Sequence, residues 1–128
     1  MRKPNLFIVG APKSGTTALY EYLKVHPEIF MSAYKEPHYF GSDLRGPRME
    51  QFRGNDRKYL SLFAAATNEK WVGEASIWYL YSQRAAQEIK AYDPNAAIII
   101  MLRNPLEMGY SMFYQSSYTG NEILPTFE

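Results

Sequence analysis

The chain has 128 residues, with 14 Lys plus Arg against 13 Asp plus Glu, two His and no Cys, and 46% of its residues are hydrophobic. That length suits one compact domain, the missing cysteine removes disulfide frameworks and thiolate metal sites, and a net charge of +1 supplies no diffuse basic field for nucleic acid. The longest apolar run, Ala96 to Leu102, is far too short to span a membrane, and the apolar stretch near the amino terminus breaks at Gly10, Pro12 and Lys13, unlike a signal peptide; the expectation is a cytoplasmic chain with no membrane and no nucleic-acid partner.

Leu6-Phe7-Ile8-Val9 is continuously apolar and closed by Gly10, the form of a strand buried on both faces. A glycine-bounded loop follows, after which Ala18, Leu19, Tyr22 and Leu23 recur at helical spacing until His26-Pro27 stops them. Ile29-Phe30-Met31 reads as a second short strand. From Ser32 to Arg57 the periodicity fails, which predicts a long loop of functional or mobile character; its Arg45, Arg48, Arg53 and Arg57, interleaved with Asp43, Glu50 and Asp56, read as a solvated surface. Tyr59, Leu60, Leu62 and Phe63 predict a helix begun near Asn55 or Asp56, and Trp71-Val72-Gly73-Glu74 a strand. Ser82 is the expected N-cap of a helix with Ala85, Ala86 and Ile89 inward, ended by Asp93-Pro94-Asn95. Ala97 to Leu102 is the strongest strand signal, and Asn104 with Pro105 opens a last helix whose expected inner face is Leu106, Tyr110 and Phe113. Apolar strands alternating with helices predict one α/β domain over residues 1–128, built on a parallel sheet flanked by helices. Ligands of such sheets sit beyond the carboxyl ends of the strands.

Gly10-Ala11-Pro12-Lys13-Ser14-Gly15-Thr16-Thr17 stands at such an end. Its glycines let backbone N–H groups approach an anion, and the helix amino terminus that follows favours negative charge. The glycine spacing is that of the nucleotide-binding G-x-x-x-x-G-K-[ST] loop, but Thr16 stands where that loop has its lysine, and Lys13 lies inside the loop. The arrangement for a γ-phosphate and its Mg²⁺ is therefore missing, while an anion at the 5′ end of a nucleotide is still served by Lys13, Ser14, Gly15, Thr16 and Thr17. On residue type alone, Arg103 after a hydrophobic strand equally fits pairing with a carboxylate, and Ser111 a bond back to the Glu107 carbonyl.

Pro12-Lys13-Ser14-Gly15-Thr16-Thr17 after an apolar strand resembles the 5′-phosphosulfate loop of sulfotransferases that use 3′-phosphoadenosine 5′-phosphosulfate (PAPS). Leu102-Arg103-Asn104-Pro105, with Ser111 on the following helix, resembles that family's 3′-phosphate motif, and Lys35-Glu36-Pro37-His38-Tyr39-Phe40 resembles a segment of its carbohydrate and bacterial branches. Two departures stand out. Ala75 follows Glu74 where many carbohydrate members carry a lysine, and the match covers about the first half of the family's domain, so the resemblance implies an incomplete, P-loop-like domain.

The resemblance implies transfer of a sulfuryl group from PAPS to an acceptor hydroxyl or amine on a small molecule or carbohydrate, with 3′,5′-adenosine bisphosphate as product and no metal. It implies Glu36 as general base, with His38 as the alternative base or a partner orienting the acceptor or Glu36. Lys13 is the implied stabiliser of the leaving group, and Arg103 with Ser111 would hold the 3′-phosphate. Two other readings stay open: a nucleotide or small-molecule kinase with a degenerate phosphate loop, and a non-catalytic nucleotide-binding module. Tyr34, Tyr39, Phe40, Trp78, Tyr79 and Tyr81 supply aromatic groups for an acceptor or for the core.

Overall fold

A computed structural model describes residues 1–120, so the expectation that the domain continues past the Pro125–Glu128 end of the chain lies outside the described residues. Four strands, β1 (Leu6–Gly10), β2 (Ile29–Met31), β3 (Trp71–Ala75) and β4 (Ala97–Ile100), form one parallel sheet in the order β2-β3-β1-β4. The helices are α1 (Thr16–Lys24), the single turn α2 (Pro47–Glu50), α3 (Asp56–Ser61), α4 (Ala85–Tyr92) and α5 (Pro105–Thr119). The α/β reading and the order of strands and helices hold as expected, except that α2 falls inside the segment expected to be a loop.

β1 lies at the centre of the sheet, with Leu6 in register with Gly73 of β3 on one side and Ala97 of β4 on the other. Its continuous apolarity follows from that position. Phe7 and Val9 pack with Phe40, Phe52, Tyr59, Phe63, Val72, Tyr79, Ala85 and Ile89 on one face, while Leu6 and Ile8 pack with Tyr20, Met31 and Ala75 on the other. After β1 the chain moves to β2 and β3 on one side and only then crosses to β4 on the other. The reversal opens a crevice between the carboxyl ends of β1 and β4, where parallel sheets bind ligands.

Gly10 closes β1 with φ +148°, and a β-carbon there would lie 2.8 Å from the Ile77 carbonyl oxygen and 3.0 Å from Leu80 Cβ. Strain and backbone overlap add, so Gly10→Ala is expected to destabilise the fold by roughly 2–4 kcal/mol, read as a lowered urea midpoint. An unchanged midpoint would show that the strand end has room to shift.

Three expectations change. In the segment 32–57 the charged residues Asp43, Arg45, Arg48, Glu50, Asp56 and Arg57 are exposed as expected, but the segment is not loose. Arg53 donates to the carbonyls of Gly41, Met49 and Leu44 at 2.7, 2.8 and 2.9 Å, Phe40 and Phe52 enter the core, and the Glu88 carboxylate accepts from the Gly41 N–H at 2.6 Å and from Ser42. A single half-buried arginine closing three carbonyls does the work that a periodic element does elsewhere. α4 begins later than expected, with Arg84 at its N-cap position; Ser82, the expected cap, stands two residues before it and accepts from the Arg84 and Ala85 N–H groups, and Ala86 faces outward. β4 stops at Ile100, where Ile98 and Ile100 are half exposed, and in α5 Leu106 and Tyr110 are 72% and 49% exposed and no residue is buried. The helix and its N-cap are as expected, since Asn104 Oδ1 accepts from the Leu106 N–H at 2.9 Å, but an inner face requires a second layer to lie against.

Candidate functional site

The loop after β1 is held from below by strand-like bonds. The Ala11 N–H donates to the Met101 carbonyl at 2.7 Å, and the Met101 N–H to the Gly10 carbonyl at 2.8 Å, so the loop stays paired with the end of β4 after the regular strand stops. Lys13 and Gly15 both adopt left-handed backbone, with φ 57° and 80°, which turns the chain into α1. The first bond within the helix runs from the Leu19 N–H to the Gly15 carbonyl at 3.1 Å, so the N–H groups before it keep free hydrogen-bonding capacity. α1 has no acidic residue in its first turn to compensate the positive end of its dipole. Ser14 and Thr16 are buried in this turn, Lys13 is half-buried, and Gly15 and Thr17 are exposed. The Lys13 ammonium has no hydrogen-bond or ion-pair partner among the described residues.

Arg103, just past β4, reaches back to this loop: its Nη1 donates to the Lys13 carbonyl at 3.1 Å. The residues are 90 apart in sequence, so the sheet reversal brings the two candidate anion-binding segments into contact. Arg103 Nε also lies 3.6 Å from Glu107 on an exposed turn of α5, a pair of small energetic weight. Arg103 and Ser111 line a common groove along α5 with Leu106, Glu107, Tyr110 and Tyr114.

Glu36 and His38 come together elsewhere along the same edge. They line a cleft of about 310 Å³ with Tyr34, Lys35, Arg48, Met49 and Trp78. Lys13 belongs to the lining of neither hollow. The segment carrying Glu36 is tied to the end of β3, with the Ser32 N–H on the Gly73 carbonyl at 2.9 Å and the Glu36 N–H on the Ala75 carbonyl at 2.8 Å. Glu36 is partly exposed in the cleft, whereas His38 is buried, and neither of its ring nitrogens makes a hydrogen bond among the described residues. Burial pushes the imidazole down to about 4, with the Arg53 charge acting in the same direction and the Glu36 backbone opposing it. At neutral pH the ring is uncharged, with one donor and one acceptor nitrogen.

The sequence reading passes over one cation that links the two regions. Lys35 Nζ donates to Thr17 Oγ1 at 2.9 Å and lies 5.2 Å from the centre of the Tyr20 ring, joining the Glu36 segment to the first turn of α1. Ala75 leaves no lysine at the end of β3, and Lys35 places positive charge beside the loop after β1. Its place directly before Glu36 was the available signal. Of the aromatic candidates, Tyr34 and Trp78 line the cleft, whereas Phe40 and Tyr79 are core residues and Tyr39 stacks on Tyr59 with ring centres 4.0 Å apart. No group of three or more His, Asp or Glu able to hold a metal occurs among the described residues, and no helix among them is long and apolar enough to cross a membrane.

Comparison with known proteins gives consistent matches. The family model described as "Sulfotransferase domain" matches residues 3–127. Human carbohydrate sulfotransferase 15 is 32% identical over 157 aligned positions, covering 89% of this chain and 28% of that protein. Human heparan sulfate glucosamine 3-O-sulfotransferase 6 is 29% identical, covering 90% of this chain and 31% of that one. The crystal structure of a sulfotransferase from Alicyclobacillus acidocaldarius superposes with a TM-score of 0.88 at 36% identity, over 97% of this chain and 54% of the other. The chain therefore spans about half of that structure and between about a quarter and a third of these two human relatives.

Proposed function

Because the chain belongs to the sulfotransferase domain family, we propose that it binds PAPS in the crevice between β1 and β4 and takes part in moving the sulfuryl group to a hydroxyl or amine of a carbohydrate or small-molecule acceptor. The observation that carries this reading is the bond from Arg103 to the Lys13 carbonyl. A donor with phosphates at both its 3′ and 5′ positions needs two anion sites at a fixed separation, and this bond couples the two segments suited to them. The acceptor class rests on the name of carbohydrate sulfotransferase 15 and on the cleft itself, where Tyr34 and Trp78 offer flat apolar surface beside polar groups.

In the reaction proposed, the acceptor oxygen forms a bond to sulfur as the bond from sulfur to the 5′-phosphate oxygen breaks. The acceptor proton passes to the Glu36 carboxylate, and the electron pair of the broken bond stays on the phosphate of 3′,5′-adenosine bisphosphate. Lys13, Ser14 and the N–H groups of Gly15, Thr16 and Thr17 face the oxygens on which charge grows, fixed in place before reaction. Arg103, with its planar fork of donors, and Ser111 serve the 3′-phosphate. His38, neutral and buried, orients the acceptor or Glu36; its low basicity makes it a poor proton sink.

Calorimetric titration tests the donor assignment. 3′,5′-Adenosine bisphosphate is expected to bind without Mg²⁺, and Arg103→Ala to weaken it by roughly 10- to 100-fold, the cost of a lost charge-assisted contact. Tight, Mg²⁺-dependent ATP binding would instead favour a kinase.

A further inference from the structure

Glu74 is fully buried at the carboxyl end of β3, and the reaction above makes no use of it. Its carboxylate collects three hydroxyl donors: Oε1 accepts from Tyr59 and Tyr79, each at 2.8 Å, and Oε2 from Ser76 Oγ at 2.6 Å. With their protons committed there, two of these hydroxyls turn lone pairs toward the segment carrying Glu36. Ser76 Oγ accepts the His38 N–H at 3.1 Å, and the Tyr79 oxygen accepts the Phe40 N–H at 3.3 Å. A hydroxyl that donates to a carboxylate is the stronger acceptor for it.

The segment needs holding. Glu36 and His38 have φ of 58° and 47°, in the left-handed region that a β-carbon disfavours, and they persist only where the surroundings enforce them. A buried carboxylate without a cation is costly for stability alone, which three well-packed apolar side chains would serve as well. Burial raises the carboxyl's pKa, and the three hydroxyls pull it back.

We infer that Glu74 is a positioning residue for the sulfuryl transfer: through Ser76 and Tyr79 it holds Glu36 and His38 in the left-handed turn that sets them in the acceptor cleft. The inference rests on the transfer reaction proposed above. The charge of the carboxylate is essential to it. A glutamine would bring N–H donors into a site that already offers three, so at least one hydroxyl would have to redirect its proton and release its loop amide.

Amide hydrogen exchange and steady-state kinetics on the wild-type chain, Glu74→Gln and Ser76→Ala test it. In Glu74→Gln, exchange at His38 and Phe40 is expected to rise about tenfold or more, while the Phe7 and Val72 amides of the sheet stay protected. kcat is expected to fall by about 10²-fold, with KM for PAPS changed less than about twofold, as for misplacement of a base. Ser76→Ala, which keeps both tyrosine bonds, is expected to loosen His38 and leave Phe40 protected. Unchanged exchange at residues 38 and 40, an equal loss of protection across the sheet in both variants, or loosened amides with an unchanged kcat would each overturn the inference. A wild-type chain that transfers nothing would remove the underlying reaction, and the exchange data would still uphold or overturn the clamp on the loop.

Discussion

Replacing Lys13 by alanine is expected to lower kcat/KM for sulfuryl transfer by roughly 10²- to 10³-fold, the scale seen when one preorganised donor is removed from a developing oxyanion. The reasoning starts from backbone. Lys13 sits in a left-handed turn with φ 57°, its carbonyl engaged by Arg103, so the residue is pinned while its ammonium remains without a partner among the described residues. A pinned cation with no structural partner beside a helix amino terminus contributes to anion binding and little to stability. The melting temperature of Lys13→Ala is accordingly expected to stay close to that of the wild type. Stopped-flow or steady-state transfer assays check the rate, and an unchanged rate would exclude Lys13 from stabilising the leaving group.

Glu36→Gln is expected to reduce kcat by about 10²- to 10⁴-fold, the range that a positioned general base supplies. The amide keeps the size of the side chain and its hydrogen-bonding reach, so donor binding is expected to be unaffected and 3′,5′-adenosine bisphosphate to titrate as in the wild type. The contrast with His38 carries the argument. An imidazole held near a pKa of about 4 by burial accepts a proton only at a large cost at neutral pH. A larger rate loss in His38→Asn than in Glu36→Gln would reassign the base to the imidazole.

What could be read ahead of the structure depended on the range of the interactions. β1, the glycine-bounded loop after it and the N-cap of α5 are local patterns, in which neighbouring residues carry the whole signal, and they fall where expected. Arg103 could be singled out by its place after an apolar strand, but its bond to the Lys13 carbonyl depends on a strand order that no local pattern encodes. Glu74 is harder still. A glutamate in a strand reads as a solvent-facing residue, and only the convergence of residues 59, 76 and 79 around it reverses that reading. Arg53 was read as part of a charged surface for the same reason, since its three carbonyl partners come from the irregular part of the chain. Ile98, Ile100 and Leu106 show the opposite limit: apolar periodicity records the capacity of a face to be covered without naming what covers it.

The central position of β1 has a kinetic consequence. The strand pairs with residues 73–75 on one side and 97–100 on the other, so its contacts close loops of about seventy to ninety residues. Such non-local parallel pairing is slow, because chain entropy is lost before the contacts that compensate for it can form. On a ribosome, Leu6–Gly10 must wait with its apolar side chains exposed until Ala97–Ile100 has emerged. The loop after β1, which depends on bonds to Met101 and Arg103, therefore takes shape only after a segment about ninety residues further along the chain has been made.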